Sequence, residues 1–219
     1  MDLPVTAHLV ELLDELQRFD NAVKFEYLRS EIDHKAIYRV APTGRKLLAK
    51  APAAYYTWQI YLRRCMFDPK FVYTAADLLL KKMPEGVFQF AAVEDAGVSL
   101  TQAMATLSGR SWISVKKQRK VYGLHNWTEG RVTGDPLVLV DDLAGSQASL
   151  RTARSVLRAY KLEVAPYYAT IIDKTQGTHQ SNYLNDFQLI SLFTCEDFAL
   201  SWNAYREKYR CDPDFGTYY

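Results

Sequence analysis

Two adjacent carboxylates, Asp141 and Asp142, stand directly after the apolar run Leu137-Val138-Leu139-Val140. A short polar stretch follows them: Gly145, Ser146, Gln147, Ala148 and Ser149. A carboxylate pair of this kind can grip the hydroxyls of a ribose or approach a magnesium ion. The small residues after it suit a loop that feeds a helix. A helix start presents unpaired backbone N–H groups and the positive end of the dipole, which favours a phosphate. Together the two features point to a sugar phosphate. The plainer alternative is that any doubly wound sheet has strands ending in polar loops at its carboxyl edge.

A second set of residues could meet an anion. Lys116, Lys117, Arg119 and Lys120 fall within five positions, at the root of the polar, glycine-punctuated stretch 116–134. Cations packed this closely repel one another unless something anionic visits them, and a loop of this length between strands suits a mobile lid. A solvated basic turn is the simple alternative. Gly97, after Glu94-Asp95-Ala96, would let the backbone approach a ligand closely or take a positive φ.

These residues must be positioned by regular elements. Leu137–Val140 is the unbroken apolar run of a strand buried on both faces of a parallel sheet. Leu150, Ala153, Val156, Leu157 and Tyr160 recur at helical spacing and predict a helix laid on that sheet. Strands are expected at 88–94, 111–115, 162–173 and 187–195, with helices at 73–83, 99–107 and 196–209, the last capped by Thr194. Upstream, Leu9, Leu12, Leu13 and Leu16 predict an amphipathic helix over 6–19, packed on the body. Residues 23–40 suggest two short antiparallel strands around Asp33-His34, and residues 43–64 a helix interrupted by Pro52.

At 219 residues the chain suits one α/β domain with a small N-terminal appendage. A net charge of +2 from 27 basic and 25 acidic residues argues against general nucleic-acid binding. Cys65, Cys195 and Cys211 show no CxxC spacing and no grouping with histidine, so neither a zinc site nor a disulfide framework is expected. With neither a signal peptide nor an apolar stretch of membrane-spanning length, the expected setting is a reducing cytoplasm.

The order of these pieces resembles a type I phosphoribosyltransferase, and within that class the orotate phosphoribosyltransferases. The similar pieces are Thr43-Gly44-Arg45, Lys116-Lys117-x-x-Lys120-x-Tyr122-Gly123, Glu129-Gly130, Val138 to Ser149, and Ser191-Leu192 through Asp197-Phe198. The resemblance implies a doubly wound, mainly parallel sheet flanked by helices, with a small N-terminal α+β hood over 1–70 and a core over 71–219. It implies transfer of phosphoribose from phosphoribosyl pyrophosphate (PRPP) to a nitrogenous base, with release of pyrophosphate. Lys116, Lys117 and Lys120 would meet the pyrophosphate, with Lys120 catalytic. Asp141 and Asp142 would hold the ribose hydroxyls, Gly97 would lie at the PRPP site, and the backbone of 145–149 would wrap the 5′-phosphate. Lys24 and Lys174 would fall on the base side. Mg²⁺ would bridge pyrophosphate and sugar oxygens with no direct protein ligand, and a homodimer with shared active sites is implied.

The sequence also departs from the family pattern. Gln147 stands where a glycine often gives the phosphate loop its freedom, Glu31 where a base-contacting lysine is usual, and Lys174 where an arginine reads the orotate carboxylate. Two readings follow: an active transferase on orotate or a related base, or a degenerate member acting as a nucleotide-sensing or assembly subunit.

Overall fold

The computed structural model describes residues 3–39, 58–86, 88–116, 126–145, 148–174 and 187–198. The chain opens with one continuous helix, α1 (Leu3–Lys35), about 50 Å long. Its only helix-breaking residue, Pro4, lies in the first turn, where the missing N–H costs nothing. The two strands expected within 23–40 reduce to β1 (Ile37–Arg39). Phe25, Leu28 and Ile32 follow helical rather than alternating spacing, and Leu28 and Ile32 are fully buried. The N-terminal half of α1 does not pack on the body as expected: its leucines face solvent, Leu13 at 63% exposure.

β1 pairs antiparallel with β2 (Trp58–Ile60), which overturns the helix expected through those positions. Tertiary pairing with Ile37-Tyr38-Arg39 wins there over local helical patterning. Residues 40–57 of that expected helix lie outside the described residues. A short α2 (Arg63–Met66) follows. α3 (Pro69–Lys82) begins four residues earlier than predicted, because Asp68-Pro69 is a helix start rather than a turn: the Asp68 side chain accepts from the Lys70 N–H at 2.9 Å.

The main sheet is built from β3 (Gln89–Val93), β4 (Trp112–Val115), β5 (Thr128–Gly130), β6 (Leu137–Val140), β7 (Leu143–Ala144), β8 (Val164–Asp173) and β9 (Gln188–Thr194). Helix α4 (Gly97–Ser108) joins β3 to β4, and α5 (Ala148–Ala159) joins β7 to β8. β4, β3, β6, β8 and β9 run parallel in that spatial order, and β5 adds an antiparallel edge to β4. The stretch 116–134 is therefore not loop throughout: Thr128–Gly130 pairs with Ile113–Val115. A 3-10 turn (Glu196–Phe198) stands where the last helix was expected to begin, and residues 199–209 lie outside the described residues. Asp197 reaches back to the Thr194 N–H at 2.6 Å, the acidic half of a capping box.

One face of the sheet, carrying Phe90, Val138, Val140, Ala169, Ile171 and Ile190, packs under α1, α3 and α4. The other, carrying Ala91, Ile113, Leu137, Leu139 and Tyr168, packs under α5 through Leu150, Ala153 and Leu157. All four residues of β6 are buried, as a strand covered on both sides requires. The end of β6 is thus set between two packed layers.

Candidate functional site

The acidic pair is not a simple strand end. β6 stops at Val140, and beyond Asp141 and Asp142 pairing with β8 resumes in the same register at Leu143 and Ala144 against Ile172 and Asp173. Between the two paired segments the Asp141 N–H donates to Ala169 O at 3.1 Å, and the Ile171 N–H to Asp142 O at 3.1 Å. Both backbones are therefore fixed by β8. Asp141 is buried, and its Oδ1 accepts the Asp142 N–H at 2.9 Å. The hydroxyl of Tyr168, close by, donates to Leu143 O at 3.5 Å. Burial first, then the charges of Asp141 and Asp142, holds the Tyr168 phenol well above its ordinary value. Asp142 keeps a half-exposed side chain.

Sequence reasoning missed Tyr168. Its signal was a tyrosine just before the run Ala169 to Ile172 of a strand expected to be buried, since a buried phenol needs a partner for its hydroxyl.

After Ala144, Gly145 lies in front of open space: among the described residues no heavy atom comes within 4 Å of where a Cβ would sit. α5 starts three residues later at Ala148, which is exposed, with Ser149 half-buried beside it. The first N–H groups of that helix have no intrahelical partner. Ser146 and Gln147 lie outside the described residues.

Gly97 meets the same corner from the neighbouring strand. It opens α4 with an ordinary φ, so positive-φ freedom is not its role. The close approach is to the protein itself: a Cβ here would lie 2.5 Å from Val140 O and 3.1 Å from Asp141 Cα. Gly97 therefore packs against the acidic pair's own backbone. Two residues before Gly97, Asp95 pairs with Arg63 at 3.3 Å and joins Glu94 through a cis peptide.

The cations divide. Lys174 follows β8 and Cys195 follows β9, in register, so the two lie side by side at the carboxyl edge. The Lys174 N–H also donates to Ala144 O at 2.7 Å. Burial lowers the Lys174 ammonium's pKa, and the charges of Cys195 and Asp142 act against that. The structure thus brings Lys174 to the acidic pair. Lys116 is 5% exposed and its ammonium pairs with Glu129, so it stands fixed at the root of the stretch 116–134. Lys117 and Lys120 lie outside the described residues. Lys24 is engaged elsewhere. Its ammonium bonds Asp20 and then Asp77, raising its pKa and tying α1 to α3. Glu31 pairs with Lys35 one turn on.

Sequence comparison finds relatives over two thirds of the chain. It is 31% identical over 148 residues to the orotate phosphoribosyltransferase of Methanosarcina acetivorans, covering 64% of this chain and 75% of that protein. It is 26% identical over 148 residues to the orotate phosphoribosyltransferase of Methanococcus maripaludis, covering 66% and 80%. No family model matches. Among solved structures, a phosphoribosyltransferase from Corynebacterium diphtheriae superposes with a TM-score of 0.66 at 18% identity, over 81% of this chain and 99% of that one. Orotate phosphoribosyltransferase from Mycobacterium tuberculosis, in complex with PRPP, superposes with a TM-score of 0.62 at 19% identity, over 81% and 99%. The structural likeness confirms the mainly parallel sheet with flanking helices, and with the sequence likeness it places this chain in the orotate phosphoribosyltransferase family.

Proposed function

We propose that this chain transfers phosphoribose from PRPP to a nitrogenous base, orotate or a related one, and releases pyrophosphate. The observation that carries this reading is the anchoring of the acidic pair on β8: backbone bonds to Ala169 and Ile171 hold Asp141 and Asp142 in the turn that leads to α5, with open space at Gly145 among the described residues. The ribose hydroxyls would bond Asp142, the more accessible carboxylate, while Asp141, buried and accepting the Asp142 N–H, sets the geometry. The 5′-phosphate would lie against the backbone of 145–149. The base nitrogen forms a bond to C1′ as the bond from C1′ to the pyrophosphate oxygen breaks, and the electron pair leaves with pyrophosphate. In this reading Lys117 and Lys120 neutralise the charge that grows there, Lys120 most in the transition state. Lys174 lies on the base side. The N-terminal segment 1–70 would serve as the hood over the core, and two copies would share their sites.

Among the described residues no three His, Cys, Asp or Glu side chains gather as a metal cage. Two carboxylates beside a substrate rich in phosphate oxygens fit the way Mg²⁺ is commonly held, with most ligands from substrate and water. When bound, it would offset the charge on the departing pyrophosphate.

Calorimetry tests the reading. PRPP with Mg²⁺ is expected to bind, Asp142→Asn to weaken binding at least tenfold, and Lys120→Ala to lower turnover far more than affinity. No heat of binding at millimolar PRPP overturns it. A second reading, a sensing or assembly subunit without turnover, is favoured by the engagement of Lys116 by Glu129. Pyrophosphate release measured against a panel of pyrimidine and purine bases separates the two.

A further inference from the structure

One face of α1 takes part neither in the core nor in the site. Leu9, Leu12, Leu16, Phe19 and Val23 follow one another three and four residues apart along the N-terminal half of the helix, and each is between 45% and 71% exposed. Singly exposed leucines are ordinary, but an unbroken row over four turns is not. The row points away from the body: Phe25, Leu28 and Ile32, by which α1 packs on the core, lie about half a turn round the helix.

The spacing defines what the row fits. Steps of three and four in alternation average 3.5 residues, the a and d positions of a heptad, which keep apolar side chains on one narrow seam facing another helix. Charge narrows the choice further. Glu15 and Glu26 border the seam on one side and Asp20 on the other, and all three are exposed. The one cation at these borders, Lys24, is shared between Asp20 at 2.6 Å and Asp77 of α3 at 2.9 Å, so the borders stay acidic. Helices that lie on membranes carry Lys and Arg on their polar face, and an anionic lipid surface would repel this one. A second α1 set parallel on the first would bring Glu15 against the other copy's Asp20.

We propose that this seam docks a helix of a different protein, apolar at its own a and d positions and bearing Lys or Arg on either side of them. The two helices wind together over about 21 Å, from Leu9 to Val23. Apolar contact along the seam supplies the affinity, and the acidic borders select the basic partner over other amphipathic helices.

Two designed peptides of about four heptads test this on the full chain. Both carry leucine at a and d; one has lysine at every e and g position, the other glutamate. Fluorescence anisotropy of the labelled peptide reads binding, and circular dichroism checks that each variant is folded. The lysine peptide is expected to bind about tenfold more tightly than the glutamate peptide, with the gap narrowing as salt rises. Glu15→Lys with Glu26→Lys is expected to reverse that preference, which a misfolded variant cannot do. Leu12→Asp with Leu16→Asp is expected to lose both peptides. Equal binding of the two peptides, binding of neither, or an unchanged preference in the reversed variant overturns the proposal. So does an assembled mass of the wild-type chain that the leucine variant loses, which gives the face to a second copy. Sedimentation with phosphatidylcholine vesicles that the same variant loses gives it to a membrane, and overturns the proposal as well.

Discussion

The Tyr168 hydroxyl donates to Leu143 O at 3.5 Å, immediately past the acidic pair, and the tyrosine is 1% and the neighbouring Asp141 5% exposed. The Asp141 carboxylate accepts the Asp142 N–H, and the charges of both aspartates reach the buried phenol. Tyr168→Phe removes the hydroxyl from this corner and leaves Leu143 O without its bond. The expected cost is about 1–3 kcal/mol of stability, together with weaker PRPP binding. Urea unfolding and calorimetry on the same variant check both. Lost stability with unchanged PRPP affinity would show that Asp142 is oriented without Tyr168.

Gly97 and Gly145 should respond oppositely to alanine. At Gly97 the new methyl would meet the Val140 carbonyl at 2.5 Å, and backbone has to move. Gly97→Ala is expected to cost about 1–3 kcal/mol, the range of overpacking. Gly145→Ala enters open space and should stay within about 0.5 kcal/mol of the parent. Urea midpoints for the pair decide it; equal losses would mean that the corner is looser than its packing indicates.

Burial pushes the Cys65 and Cys195 thiols from the ordinary 9.0 up to about 11. A folded-state value raised above the unfolded one favours the protonated thiol. The stability it contributes is therefore fully present below pH 9 and is lost as pH rises through 11. The loss should approach roughly 2–3 kcal/mol per thiol. Chemical unfolding across that window, with Cys65→Ala and Cys195→Ala for comparison, measures it. A flat profile from pH 9 to 11 would contradict the burial of both thiols.

Lys174 beside Asp142 has a distinct expected signature. Lys174→Met should lower kcat/KM for the base by about tenfold, about 1.4 kcal/mol, and leave PRPP affinity within about twofold. Lys174→Arg supplies a planar fork that suits a carboxylate, so it should shift preference toward a carboxylated base. Steady-state kinetics with both substrates read this directly. A parallel loss of PRPP affinity in Lys174→Met would assign the cation to the sugar rather than to the base.

Much of the sheet was legible because its strands are locally unambiguous: Leu137–Val140 can only be a buried strand, and Asp141-Asp142 could be found by position alone. The N-terminal third was misread. Mixed polar and aromatic residues such as Phe25, Tyr27 and Ile32 fit either period over a short window, and pairing with a distant strand decided Trp58–Ile60. The resumption of pairing at Leu143–Ala144 was equally hidden, since two residues carry no period.

Sequence alone determined the order of the motifs, the apolar strand that ends in acids and the lysine-rich stretch before Tyr-Gly, because these depend on residue type and local spacing. Tertiary structure decided which groups act together. Lys24 went to Asp77, Lys116 to Glu129, and Tyr168 and Gly97 came to the acidic pair from other strands and helices. Such partnerships are set by how layers stack and by strand register, and local spacing carries no record of either.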